Sequence, residues 1–268
     1  MVKWLYLHML FPFVKYQGTG NDFVLMDNRT GHFPIDNHLV IAQICHRNFG
    51  VGSDGFILIE SSDTADFFMR YFNADGHEGS LCGNGSRCAI QYAKTLGIVS
   101  AKVVFEASDG IHQAHFVGDE VALSLHPLTH WELRETAIFM DTGSPHHILF
   151  VDDLSAVDVP KLGASIAHGA PYFSDGTNVN FVSLIDANTI EVRTFERGVE
   201  AETLSCGTGV TAAAIATHIS ARTRATSLVI QTRGGLLNVS FSPTEKGYKD
   251  IVLQGPANYV YKGNWEYI

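Results

Sequence analysis

The sequence predicts an α+β protein of two pseudo-symmetric halves. Each half is expected to be a strongly curved, mainly antiparallel sheet or barrel wrapped round one central helix. Three observations point there: an internal repeat, many short stretches of strand composition, and one strong helical stretch at the same place in each half. Thr19-Gly20-Asn21 recurs as Thr142-Gly143-Ser144, and Arg70-Tyr71-Phe72 as Arg193-Thr194-Phe195, both at an offset of 123. Cys82-Gly83-Asn84-Gly85 recurs as Cys206-Gly207-Thr208-Gly209 at 124, and Ser53-Asp54-Gly55 has a weaker echo in Ser174-Asp175-Gly176. Matches in one order at a nearly constant offset mark a duplicated unit.

The elements follow in order. Residues 56–59, 67–72, 103–105 and 121–125 are rich in Val, Ile and Phe and read as strands of the first half. Residues 148–151, 181–185, 190–195, 228–231 and 251–253 read the same way in the second. Turn residues such as Ala74-Asp75-Gly76 and Gly234-Gly235 separate them. After the first Cys-Gly-x-Gly, 86–96 is amphipathic, with Cys88, Ala89, Tyr92, Ala93 and Leu96 on one side and Gly97 as a stop. After the second, 210–219 is apolar on almost every face, as in a helix buried on all sides. The N-terminal half is expected over 1–126 and the C-terminal half over 127–255, with the boundary near His126-Pro127. Residues 256–268 should return as a strand to the first half.

Composition bounds the function. The chain of 268 residues carries 18 Lys and Arg against 28 Asp and Glu, a formal charge of −10. Nucleic-acid binding draws on clustered cations, so a DNA or RNA partner is not expected. Apolar residues make up 46%, enough for a sizeable core, yet the longest unbroken apolar run is the five residues Ala212–Ala216. A membrane-spanning helix needs about 18 or more, so no membrane partner is expected. The opening Met1–Leu10 has a cation followed by apolar residues, but His8 interrupts it, Pro12 ends it and no small-residue cleavage site follows. It reads as a loose extension, with Met9 as a candidate true start. Four cysteines, Cys45, Cys82, Cys88 and Cys206, are too few for a disulfide framework in a chain this long, so reduced thiols in a cytoplasm are expected.

A cysteine at a glycine-rich helix start is placed for chemistry. The first turn leaves backbone N–H groups without helical partners and carries partial positive charge, which favours thiolate over thiol at Cys82 and Cys206. Flanking glycines let the backbone approach a ligand, and the N–H groups suit a carboxylate or phosphate. One such cysteine alone is as readily a small buried hydrophobe beside a tight turn. Duplication changes that reading, since it sets two equivalent loops on either side of a cleft. Two thiols approaching a bound molecule from opposite sides suit removal of a proton from one face of a stereocentre and return of one to the other. The carbanion beside a carboxylate is stabilised by two helix N-termini, and the pair must hold one proton between them.

These residues also carry a family resemblance. Residues 13–23, Phe-Val-Lys-Tyr-Gln-Gly-Thr-Gly-Asn-Asp-Phe, resemble the opening strand of diaminopimelate epimerases. So do Phe72-Asn73-Ala74-Asp75-Gly76 with Cys82 to Cys88, Thr177-Asn178-Val179-Asn180-Phe181, and Glu196-Arg197-Gly198 with Glu202 to Gly209. The resemblance runs from Phe13 to Gly255-Pro256-Ala257. It implies an enzyme that needs no cofactor or metal and converts L,L-diaminopimelate to the meso form in lysine and peptidoglycan-precursor synthesis. It also implies a cytoplasmic homodimer. By matched position, Cys82 and Cys206 look like the acid/base thiols, and His146 and Glu196 like the pair that tunes them. Asn21, Asn73, Asn84, Asn180, Glu196 and Arg197 look like substrate contacts, with N–H groups of Gly83, Asn84, Gly207 and Thr208 holding the reacting carboxylate. A zwitterion with two amino-acid ends needs Arg for a carboxylate and amide oxygens for ammonium groups.

Three departures bear on the distal end of the substrate. Ser144 stands where many members have Asn, Gly55 where some have a binding Gln, and the segment 198–202 is one residue longer than in many relatives. Proline or hydroxyproline racemases resemble the family in fold and thiol pair; Asn73, Asn180 and Arg197 favour a substrate with a second polar end. A phenazine-type isomerase or a binding module on this scaffold would not need both thiols, and a cysteine hydrolase would need one. No Cys-x-x-Cys or His-Glu-x-x-His spacing suggests zinc. Cys45 and Cys88 read as structural, and His112, His115, His126 and His130 as surface or strand-edge residues.

Overall fold

The computed structural model describes residues 9–79 and 81–267; the opening segment 1–8 lies outside the described residues. The first repeat runs β1 (Met9–Gly18), β2 (Asn21–Asp27), α1 (His38–Cys45), β3 (Gly55–Glu60), β4 (Phe67–Asn73), α2 (Gly83–Thr95), β5 (Lys102–Ala107), β6 (Gly110–Val117) and β7 (Glu120–Leu125). A short β8 (Trp131–Leu133) leads into the second: β9 (Ala137–Asp141), β10 (Pro145–Phe150), α3 (Val159–Ala167), β11 (Asn178–Leu184), β12 (Thr189–Glu196) and β13 (Ala201–Thr203). Then come α4 (Gly207–Ile219), β14 (Ser227–Thr232), β15 (Gly235–Thr244), β16 (Gly247–Gly255) and, last, β17 (Asn258–Tyr267).

Strand register repeats with the sequence. β2 runs parallel to β3 with Phe23 opposite Gly55, and β10 runs parallel to β11 with His146 opposite Asn178, so both partners move by 123 residues. The antiparallel pairs β3–β4 and β11–β12 follow the same shift, Phe56 facing Phe72 and Val179 facing Phe195. The parallel pairs β4–β5 and β12–β14 complete the equivalence. The remaining pairs, such as β14–β15, β15–β16 and β1–β17, are antiparallel, so the α+β, mainly antiparallel architecture is as predicted.

By packing, the chain forms two compact units, one from β1, Asp22–Gln113 and β17, the other from Thr19–Asn21 and Ala114–Pro256. In the second unit α4 packs against β9, β10, β11, β12, β14 and β15. Val210, Ala212, Ala213, Ala214, Ile215 and Ala216 are wholly buried there with Ile148, Val182 and Ile230. Small alanines let the surrounding strands approach the helix closely. In the first unit α2 packs on β1, β3 and β4, while α1 joins Phe33, Phe56 and Trp265 in a separate cluster.

Both central helices begin three residues before their predicted starts. Glycines argue against helix by propensity, yet here Cys82 and Cys206 are extended N-caps and the glycines form the first turn. Space explains their composition. A Cβ on Gly85 would lie 3.2 Å from Ile57 Cδ1, and one on Gly209 only 2.4 Å from Asn180 Oδ1. The short helices α1 and α3 were not predicted, since neither spans three full turns of apolar periodicity. His112 differs from expectation: it is buried beside Phe105, with Nε2 2.9 Å from Asp109.

Candidate functional site

In the second unit, Cys206 caps α4 with extended backbone (φ −118°, ψ 114°) and is 7% exposed. The first-turn N–H groups of Gly207 and Thr208 have no helical acceptor by geometry. The Thr208 hydroxyl lies 3.5 Å from the Cys206 sulfur. Behind it, His146 Nε2 is 2.9 Å from Thr208 Oγ1, and His146 Nδ1 is 3.0 Å from Asn180 Nδ2. Thr194 donates to Asn180 Oδ1 at 2.9 Å. Burial, and next the charge of Arg197, pushes the His146 pKa down to about 3, so the ring is neutral near pH 7.

The approach to Cys206 is held from several directions. Thr19 (φ 49°) and Gly20 (φ 87°) make the two-residue turn between β1 and β2, and the Thr19 hydroxyl donates to Ser205 Oγ at 3.0 Å. Leu204 covers Gly20 so closely that a Cβ there would meet Leu204 Cδ1 at 2.6 Å. Asn21 follows this turn and therefore sits at the segment leading to Cys206. Thr142 donates to the Thr208 carbonyl at 2.8 Å, and the half-buried Ser144 accepts from the Thr142 N–H through its backbone.

Glu196 ends β12, and its carboxylate accepts from the Thr203 hydroxyl across the β12–β13 hairpin. Arg197 lies in the open. Its backbone N–H donates to Asn178 Oδ1 at 2.9 Å, its guanidinium to the Asp175 carbonyl at 2.7 Å, and its stem lies over Gly176. The longer 198–202 segment turns at Glu200 (φ 58°), whose carboxylate holds the Gly198 N–H and His168 at the end of α3, 2.6 Å away.

In the first unit, Cys82 caps α2 with nearly the same backbone (φ −106°, ψ 114°), and its sulfur accepts from the Gly85 N–H at 3.4 Å. Arg87, wholly buried, donates to Asn84 Oδ1 at 2.9 Å and to the Gly83 carbonyl at 3.3 Å. So the third residue of each Cys-Gly-x-Gly is gripped from within, by a guanidinium in one unit and a neutral imidazole in the other. Asn73 ends β4, exposed, and accepts from the Tyr71 hydroxyl at 3.0 Å. The Tyr71 ring explains the departure at Gly55, because a Cβ at 55 would meet it at 2.6 Å. Cys45 and Cys88 are buried. Burial raises the Cys45 thiol to about 11 and Cys88 further still.

Comparison with known proteins turns this pattern into a family. The family model described as diaminopimelate epimerase matches residues 13–124 and 138–260. The chain belongs to the diaminopimelate epimerase family. It is 43% identical over 249 residues to the diaminopimelate epimerase of Flavobacterium psychrophilum, covering 92% of this chain and 97% of that one. With the diaminopimelate epimerase of Chlorobaculum tepidum it is 41% identical over 256 residues, covering 92% and 98%. Among solved structures, a Bacillus anthracis phenazine biosynthesis protein of the PhzF family superposes with a TM-score of 0.76 at 16% identity, covering 96% of this chain and 99% of that one. A hydroxyproline epimerase from Agrobacterium vitis superposes with a TM-score of 0.69 at 14% identity, covering 99% and 94%. At such identities these two establish the shared fold.

Within each unit, the diaminopimelate epimerase motifs converge on the start of its central helix. Cys206, Gly207, Thr208, His146 and Asn180 come together in one; Cys82, Gly83 and Asn84 in the other, with Asn73 at the end of β4. Asn180 is wholly buried with both ends of its amide engaged, whereas Asn178, on the same face of β11, holds the Arg197 backbone. Three contributors escaped sequence reasoning: Asn178, Tyr71 and Arg87. The spacing Gly55…Tyr71…Gly79 carried a signal for Tyr71, as glycines on both sides of the ring leave room for it. Arg87 sits one turn after Gly83 on α2, which places it under the loop.

Proposed function

We propose that this enzyme converts L,L-diaminopimelate to the meso form without cofactor or metal, using Cys82 and Cys206 as a thiolate–thiol pair, in lysine and peptidoglycan-precursor synthesis. The observation that supports it best is the equivalence of the two cysteines: both cap the central helix of a repeat, with matching backbone and a gripped third residue. In one direction a thiolate takes the α-proton and becomes a thiol. The other thiol delivers its proton to the opposite face and becomes the thiolate, so nothing else is consumed. Charge developing on the α-carboxylate is met by N–H groups of Gly83, Asn84, Gly207 and Thr208 at two positive helix ends.

The distal amino-acid end is read by polar groups that are exposed (Asn73, Arg197) or half-buried (Asn21, Glu196). Arg197 takes its carboxylate, and Glu196, Asn73 and Asn21 take the ammonium groups. Asn178 joins them by holding Arg197, while Asn180 works from behind His146. The reading also carries a homodimer in the cytoplasm; light scattering of the purified protein checks the first.

The test is incubation of reduced protein with L,L-diaminopimelate in heavy water, following loss of the α-proton signal by NMR. Exchange with meso product in the native chain, and loss of turnover in both Cys82→Ala and Cys206→Ala, is the expected result. Exchange of proline or hydroxyproline instead would keep the thiol chemistry and move the substrate. No exchange with any amino acid would remove both thiols from catalysis.

A further inference from the structure

We propose that Asn180 is a positioning residue that holds His146 in the Nε2–H tautomer, so that the Thr208 hydroxyl turns its own proton toward the Cys206 sulfur. This rests on the reading of Cys206 as an acid/base thiol and adds what sets its protonation. The geometry is an unbroken chain of hydrogen bonds inside the second unit. Thr194 Oγ1 lies 2.9 Å from Asn180 Oδ1, Asn180 Nδ2 3.0 Å from His146 Nδ1, His146 Nε2 2.9 Å from Thr208 Oγ1, and Thr208 Oγ1 3.5 Å from Cys206 Sγ.

Direction follows from donor and acceptor chemistry. An amide nitrogen only donates, so His146 Nδ1 must accept, and in a neutral imidazole the proton then resides on Nε2. Nε2–H donates to the Thr208 oxygen, which leaves the Thr208 O–H for the sulfur. Two contacts fix the amide itself. Thr194 donates to its oxygen, and that oxygen faces Gly209 in the first turn of α4, where the positive helix end favours an oxygen over an NH2 group. Asn180 and His146 are fully buried and Thr194 is 3% exposed, so water does not compete for these partners. Thr208 thus acts twice, with its backbone at the carboxylate and its side chain at the thiolate. In the first unit Arg87 grips Asn84 instead, with donors that carry a fixed charge.

The charge that bears on His146 is that of Arg197, just beyond the end of β12, and every variant keeps it together with the neighbouring Glu196. The first readout is the 15N spectrum of His146 in the native chain at neutral pH, which should show an unprotonated Nδ1 and a protonated Nε2. A protonated Nδ1 or a charged ring overturns the proposal outright, whatever any variant does. The second is the pH profile of Cys206 alkylation by iodoacetamide, followed by mass spectrometry with Cys82 as internal reference. Thr208→Val keeps shape and removes the hydroxyl; Asn180→Leu keeps approximate shape and removes the amide. Loss of one hydrogen bond to a thiolate should raise the Cys206 midpoint by about one pH unit in each. The double variant should show no more than the larger single shift, Thr208→Ser should restore the native midpoint, and Cys82 should not move. A Cys206 midpoint unchanged in Asn180→Leu, or shifts that add in the double variant, would overturn the chain. None of these readouts uses diaminopimelate, so they fail or succeed separately from the substrate assignment.

Discussion

Tyr71 shows how a single side chain rebuilds a site. Its ring occupies the space that any side chain at Gly55 would need, and its hydroxyl commits Asn73 Oδ1. Tyr71→Phe should therefore raise KM for the substrate about three- to tenfold with kcat little changed, as expected for one hydrogen bond lost to Asn73 if it binds substrate as proposed. Steady-state kinetics check it. Gly55→Ala should cost about 1–3 kcal/mol in a urea melt, because the added methyl also meets the Phe72 carbonyl at 2.9 Å, and backbone yields less than a side chain. Histidine supplies the pH dependence. Burial holds His146 near 3 and His147 near 4 when folded, below the ordinary 6.5. The unfolded chain therefore binds more protons below pH 6.5, and stability present above that pH is lost as pH falls. At pH 4.5 the His146 contribution alone is about 2–3 kcal/mol. Urea midpoints at pH 7 and 4.5 should separate accordingly, and Asn or Gln at both positions should flatten the difference.

At the scale of elements, the two central helices earn their position through small residues. Gly209 lets Asn180 sit against the first turn of α4, since a Cβ there would come within 2.4 Å of the amide oxygen and 3.3 Å of the Cys206 sulfur. Gly209→Ala should lower kcat at least tenfold while costing about 1–3 kcal/mol of stability. Activity near the native level in a folded Gly209→Ala protein would show that the amide is not needed. The glycines that hid the helix starts from propensity reasoning are the same ones that bring the first turns to the site. Strand reading fared better: 56–59, 67–72 and 190–195 fall inside β3, β4 and β12 because alternating or continuous apolar composition survives without long-range information. Strands such as β1, β6 and β15 mix polar and apolar residues, and only their pairing partners settle them.

For the whole molecule, four thiols divide into two kinds. Cys45 and Cys88 are buried with raised pKa values, while Cys82 and Cys206 stand at helix starts. Brief iodoacetamide treatment of the native protein should label Cys82 and Cys206 and spare the other two, with all four labelled in urea. Peptide mass spectrometry reads this directly, and equal labelling of Cys45 under native conditions would contradict it.

Duplication, the two cysteines at equivalent helix starts and the α+β class were legible in the sequence alone, because repeats and motifs are local strings whose spacing carries the message. The place of Cys82 and Cys206 at two helix starts could be picked out for the same reason: a Cys-Gly-x-Gly before a helical stretch is a property of a few consecutive residues. The tertiary structure alone decided which polar groups hold those residues. Asn178 and Asn180 are two positions apart with identical side chains, yet one holds Arg197 and the other locks His146. Their partners come from β10, β12 and the residue just beyond it, more than ten residues away in sequence, and hydrogen bonds of that kind exist only once the strands are in register.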